Sequence, residues 1–201
     1  YRRQWRRLAE SGAVTLRRVV AGSGLEPAAA DFLGLEASGW KGRRGTALAD
    51  DPASRAFALS AISGAPPGAV AIDEIRLDGA PVAMLVGFRA GDLAVTWKIA
   101  HAEAQARYSP GVQVMIAASD AWLAEPGIAR IDSLAAPDHP MVDGLWPERT
   151  EIGLVALGPV GGSALFSLGV RLAEAEAAAR RTLREHRRKR AARAATEEST
   201  R

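Results

Sequence analysis

The chain has 201 residues, 48% hydrophobic and 24% charged, which suits a soluble globular domain with a sizeable core and excludes a low-complexity chain. It contains no cysteine, so disulfides, thiolate catalysis, Cys-bound zinc and iron–sulfur clusters are excluded together. The net charge of +3 divides into +5 over residues 1–18, −7 over Val19–Val170, +6 over residues 171–193 and −1 over the rest, an acidic body with basic ends that argues against a specific nucleic-acid-binding face.

In chain order, YRRQWRRLAE before Ser11-Gly12 reads as the last turns of a helix, and Ala13 to Val19 alternates as a strand. An opening at Tyr1, in mid-fold, reads as a piece of a longer chain. After a glycine loop, Pro27 to Ser38 is predicted helical, with Phe32, Leu33 and Leu35 as contacts and Gly39 as its stop. Asp50-Asp51-Pro52 starts a second helix that runs to about Ser63.

The period then changes to that of strands: Ala69–Leu77, Pro81–Arg89 and Leu93–Ala100, joined by Asp78-Gly79 and Gly91-Asp92, predict an antiparallel meander. Strict alternation puts Leu93, Val95, Trp97 and Ile99 on one face, with Thr96 and Lys98 on the other. Ser109-Pro110-Gly111 opens a helix, with Ser109 as a candidate cap, in which Val112, Met115, Ile116, Ser119, Trp122 and Leu123 fall at helical spacing. Ile128–Leu134 and Glu151–Leu157 are expected as strands, separated by Pro137-Asp138-His139-Pro140 and a short helix through Trp146.

Ile152–Val170 is nineteen residues without a charge, long enough to cross a membrane, but five glycines and Pro159 split it and argue against a span. Gly158–Gly162 lacks the lysine and hydroxyl of a phosphate-binding loop and reads as a linker. Ala164 to Ala195 reads as one helix with Glu176–Arg180 and Glu185–Lys189 pairs, ending in Arg187-Arg188-Lys189-Arg190. The expected division is therefore 1–157 as the folded domain and 158–201 as linker and basic helix.

Three separated motifs, FLGLEASGWKGRRGTAL at Phe32–Leu48, WKIAHAEAQARYSPGVQV at Trp97–Val114 and IDSLAAPDHPMVDGLW at Ile131–Trp146, together with this element order, resemble the GNAT acyltransferase superfamily. Within it they resemble the cellulose-biosynthesis, acetyltransferase-like branch, related to Fem-type aminoacyl transferases, over about Tyr1 to Leu157. The resemblance implies a mixed α/β sheet flanked by helices and an acetyl-CoA or other acyl donor, with an amine or hydroxyl acceptor on a cell-envelope or polysaccharide precursor. It also implies a cytoplasmic protein with a preceding GNAT-like half in the same chain. The alternative is a degenerate, non-catalytic module that binds a glycan or a synthase partner.

Acyl transfer needs an anion cradle for the donor's phosphates, donors for the developing oxyanion and a route for a proton. The cradle is expected at the helix N-terminus formed by Ser109, Gly111, Val112 and Gln113, although Tyr108-Ser109-Pro110-Gly111 offers one glycine where the superfamily's loop has two. The same residues also read simply as a well-capped helix. Lys98 and Tyr108 are expected at the acceptor, as are Trp40 and Lys41 in the basic turn with Arg43 and Arg44; the bland reading makes Trp40 a core plug and the cations solvated. Asp132 is the candidate base or, otherwise, a turn cap. His139 is the candidate proton carrier or, otherwise, an ordinary loop residue. Asp138, His139 and Asp143 lack a second histidine at ligand spacing, so no metal is expected. A Ser133–His139–Asp138 triad lacks a nucleophile elbow.

Overall fold

The computed structural model describes residues 1–136, 139–153, 155–158 and 163–198. The chain divides into two compact units, Tyr1–Pro147 and Glu148–Arg201, so the boundary falls ahead of the 157/158 division expected from sequence.

In the first unit, α1 (Arg2–Ala9) leads into β1 (Val14–Val19), then α2 (Leu25–Ser38), the short α3 (Trp40–Arg43) and α4 (Pro52–Ser63). Asp51 caps α4, its carboxylate accepting from Ser54 N at 2.8 Å while Pro52 occupies the first turn, where a missing N–H costs nothing. The meander follows as β2 (Val70–Leu77), β3 (Ala80–Ala90) and β4 (Leu93–His101), all antiparallel. Asp78 and Gly79 take φ of 51° and 82°, the left-handed pair that a two-residue hairpin turn requires. The helix α5 (Pro110–Leu123) then crosses to β5 (Arg130–Asp132), which pairs parallel to β4 and completes a five-stranded sheet in chain order.

The helices lie on both faces of the sheet. Phe32, Leu33, Ala58 and Ile62 of α2 and α4 pack with Val70, Ile72, Met84 and Val86 on one side. Leu8 of α1 and Val114, Met115 and Ala118 of α5 pack with Ile75, Ala83 and Leu85 on the other. The buried stripe of α5 is thus Val114, Met115, Ala118 and Trp122, one helical face. Val112 and Ile116, expected inside, sit on its flank half-buried, and Leu123 is exposed.

Three further expectations are corrected. The last strand of the sheet covers three residues, not Ile128–Leu134, because Leu134 adopts a positive φ of 51° and turns the chain off the ladder. The segment through Trp146 is a run of turns closed by Asp143 N to His139 O and Trp146 N to Val142 O, not a helix, and Val142 anchors it in the core. No described residue of 151–157 is in a strand, and Ile152, Val155 and Leu157 are exposed.

The second unit is dominated by α6 (Ala164–Glu198), in which Glu176 pairs with Arg180. The side chains of the expected Glu185–Lys189 pair lie outside what the structure describes, and residues 159–162, Pro137 and Asp138 lie outside the described residues. No helix among the described residues is long and apolar enough to cross a membrane.

Candidate functional site

The site begins with an irregularity in β4. Val86 pairs with Lys98 and Gly87 with Thr96, so Trp97 is an extra residue, a β-bulge that bends the strand and shifts its alternation by one. This overturns the expectation of a single face: Trp97 packs with Phe57 and Phe88 toward α2 and α4, whereas Ile99 joins the α5 side. Beside the bend, β5 follows β4 only from Leu93–Val95 opposite Arg130–Asp132 and then departs. The departure is built from side chains: Asp132 Oδ1 accepts from Leu134 N at 2.8 Å, and Ser133 Oγ accepts from Ala135 N at 3.2 Å. Thr96 Oγ1, donating to Ser133 O at 3.3 Å, is the final tie across the gap.

Beyond that tie the strands splay apart around a cavity of about 290 Å³, with Lys98 and Ile99 on one side and Ser133–Ala136 and His139 on the other. A second cavity of about 440 Å³ adjoins it through Lys41, Ile99, His139 and Met141 and reaches Glu36, Trp40, His101 and the start of α5. Of the residues singled out from sequence, the structure thus brings Trp40, Lys41, Lys98, Ser109, Gly111, Val112 and His139 to one continuous cleft. Asp132, Tyr108 and Gln113 are not on its walls. Gln113 is buried, with Nε2 donating to the Tyr108 carbonyl at 3.3 Å. Tyr108 lies under the Arg107 guanidinium (4.7 Å to the ring) and borders a separate hollow shared with Arg7, Glu10 and Ser11.

The basic turn is an ordered corner. Glu36, 3% exposed on α2, receives Lys41 Nζ on Oε1 at 2.6 Å and Leu48 N on Oε2 at 2.9 Å. Lys41 also donates to the Ile99 carbonyl of β4 at 3.3 Å, which ties the corner to the splayed strand. Arg43 holds Glu103 at 2.8 Å, and that hydrogen bond keeps the Glu103 carboxyl below its ordinary pKa. Arg44 stacks over Trp40 at 5.2 Å. Trp40 itself is 47% exposed, which rules out a core plug. Gly42 is required, because a Cβ there would stand 1.8 Å from the Ala37 carbonyl oxygen.

At the other end of the cleft, Ser109 occupies the N-cap position of α5 in a left-handed conformation (φ 51°, ψ 48°), but its hydroxyl makes no capping bond. The expected side-chain cap is therefore absent. Pro110 has no N–H and Gln113 N already donates to Ser109 O, so Gly111 and Val112 present the N–H groups that lack a partner within the helix. Gly111 faces His101, since a Cβ on it would lie 3.3 Å from His101 Nδ1. His139 Nδ1 accepts from Val142 N at 3.4 Å. No group of three potential metal ligands occurs among the described residues.

Two cleft residues escaped the sequence reading. Glu36 sits four residues after Phe32 on the apolar stripe of α2, where a charge needs a partner, and the partner is five residues on. His101 ends β4 inside a motif already singled out, but strict alternation through the bulge gives it the wrong phase.

The family profile described as an acetyltransferase (GNAT) domain matches residues 1–139. Comparison with curated proteins finds no match. Among solved structures, the fold is similar to an aminoglycoside acetyltransferase, meta-AAC0020, from an uncultured soil metagenomic sample, in complex with sisomicin. The TM-score is 0.52 at 12% identity, covering 73% of this chain and 96% of that one. It is also similar to AAC(6')-Iy in complex with a bisubstrate analogue, CoA-S-monomethyl-acetylneamine (0.52, 14% identity, 74% and 99% covered). A possible acetyltransferase from Clostridium difficile 630 gives 0.52 at 9% identity, with 73% and 98% covered. At such identities the likeness is one of fold.

Proposed function

The chain belongs to the acetyltransferase (GNAT) family, and on that premise we propose that it transfers an acetyl group from acetyl-CoA to an amine or hydroxyl of a cell-envelope or polysaccharide precursor. The carrying observation is that the splay between β4 and β5 opens into the same cleft as the uncapped N-terminus of α5. Acetyl-CoA supplies a thioester-activated acetyl group on a long amide-bearing arm that ends in phosphates.

The residues present fit that group. The N–H groups of Gly111 and Val112, with the positive end of the helix dipole, suit phosphate oxygens, and the absence of a side chain at Gly111 permits close approach. Beyond Val95 the outer edge of β4 has left its β5 partner, so its backbone groups suit an extended amide arm. Ser109 and Gln113 shape the cradle, the first by its left-handed turn and the second by holding the Tyr108 carbonyl.

On the acceptor side, Trp40 stacks one face on Arg44 and offers apolar surface to a saccharide ring. Lys98 reaches an anionic or hydroxyl-rich acceptor from the strand, while Lys41 fixes the wall through Glu36. His139, at the junction of the two cavities, keeps Nδ1 occupied by Val142 N and so serves as a proton donor through Nε2, and Asp132 shapes the departure of β5. The motif resemblance supports a cytoplasmic site of action and a preceding GNAT-like half.

Calorimetry with acetyl-CoA tests the reading. The wild-type chain should bind it, and Gly111→Val should weaken binding at least about tenfold, roughly 1.4 kcal/mol, without lowering the melting temperature enough to unfold the sample. Absence of acetyl-CoA binding, with retained binding of an acceptor glycan, would leave the chain as a binding module.

A further inference from the structure

Two of the chain's three histidines, His101 and His139, face the same cleft from opposite walls. They differ in what holds them. The Nδ1 of His139 is an acceptor, taken by Val142 N–H, so the neutral ring carries its proton on Nε2 and has no lone pair left to offer. No hydrogen-bonding partner engages the His101 ring among the described residues, and Nδ1 rests near Gly111 at the start of α5. In its neutral form this imidazole keeps one nitrogen open to receive a proton.

We propose that His101 is the proton acceptor for the attacking amine in this cleft. The inference rests on the acetyl-transfer reading above. The amine nitrogen forms a bond to the acetyl carbonyl carbon as the carbon–sulfur bond breaks. The proton displaced from nitrogen passes to the open nitrogen of His101, and the departing thiolate takes one proton from solvent. His101 then returns its proton to solvent, so the products are an amide and a free thiol and the protein is unchanged.

Position supports the role. His101 closes β4 just past the splay, beside the Gly111 turn assigned to the donor and across from Trp40 on the acceptor side. The charged and titratable groups around it are already matched: Lys41 with Glu36 on α2 and α3, and Arg43 with Glu103, whose field reaches the imidazole. Lys98 lies on its own strand and His139 on the facing loop, while the first turn of α5 brings no charge. These pairs leave His101 as the cleft's uncommitted base.

The first test needs no turnover. In the full chain, diethyl pyrocarbonate followed by peptide mass analysis should modify His101 faster than His139, although His139 is the more exposed, because the reagent attacks an open ring nitrogen. Faster modification of His139 would overturn the assignment. The second uses acetyl-CoA with glucosamine as the probe amine and follows CoA release. His101→Gln should lower kcat/KM by about a hundredfold and abolish its rise with pH across the neutral range. Acetyl-CoA affinity should stay near the wild-type value, and added imidazole should partly restore His101→Gly. A wild-type chain that transfers acetyl to glucosamine while His101→Gln keeps the same pH profile sinks the role of His101 alone. A wild-type chain that transfers nothing sinks the acetyl-transfer reading with it.

Discussion

A carboxylate that is 3% exposed is tolerable only while its charge is answered, and Glu36 is answered by Lys41 and by Leu48 N. Lys41→Ala removes one partner and leaves the other charge buried, which should cost about 2–4 kcal/mol, less than for a wholly enclosed pair because the lysine is 22% exposed. Trp40→Ala removes a half-exposed ring and should cost no more than about 1 kcal/mol, while weakening acceptor binding. Thermal melts beside acceptor titrations separate the two. This ordering reverses what the isolated pattern WKGRR suggests, where a tryptophan promises burial and a lysine promises solvent. Composition of the turn was legible, but the pairing was not, since it depends on how Gly39 folds α3 back onto α2.

Elements were legible wherever a local signal fixed both ends. Asp78-Gly79 and Gly91-Asp92 defined the hairpins of the meander, and Asp51-Pro52 defined the start of α4. Where the end depends on a partner strand, side-chain alternation misled. Ile152, Val155 and Leu157 have strand-like character yet are exposed and belong to no strand among the described residues, and Ile128–Leu134 continues its apolar pattern past the point where Leu134 turns away. The bulge at Trp97 left no trace in the pattern, because an extra residue looks like regular alternation until the pairing is known. At this scale α3 offers the clearest check. Gly42→Ala sets a methyl group against the Ala37 carbonyl and should destabilise the chain by about 1–3 kcal/mol. By displacing the corner it should also loosen the Lys41–Ile99 tie. A chemical denaturation midpoint equal to wild type would refute the packing argument.

Across the whole molecule, charges pair through the sheet. Arg17 and Arg76 both hold the fully buried Glu74, and Arg76 also meets Asp31. Arg18 joins Asp73 to Glu125 at the end of α5 and covers the ring of Trp122 at 4.2 Å. Burial pushes the Asp73 carboxyl up to about 6 despite Arg18, with the carboxylates of Glu125 and Glu74 adding to the rise. A folded-state pKa raised above the unfolded one means that the folded chain holds the proton more tightly. The resulting stabilisation is full below the unfolded value near 4 and is lost as pH rises through about 6. Relative to Asp73→Asn, wild type should therefore gain on the order of 2 kcal/mol between about pH 7.5 and pH 4.5. Urea unfolding of both proteins across that range reads the difference, and a pH-independent gap would contradict it.

Unlike the arginines of β1, Arg2, Arg3, Arg6 and Arg7 of α1 are exposed and make no ion pair among the described residues. Arg7 shares a hollow with Arg107 and Tyr108, directly before Ser109 and the start of α5. Within the unit Tyr1–Pro147, these exposed arginines thus set positive charge beside the end of the cleft assigned to phosphates. A polyanionic ligand arriving by diffusion meets an attractive field there before it meets any contact. Its rate of capture should fall as ionic strength rises and the screening length shortens, with a much smaller change in its rate of escape.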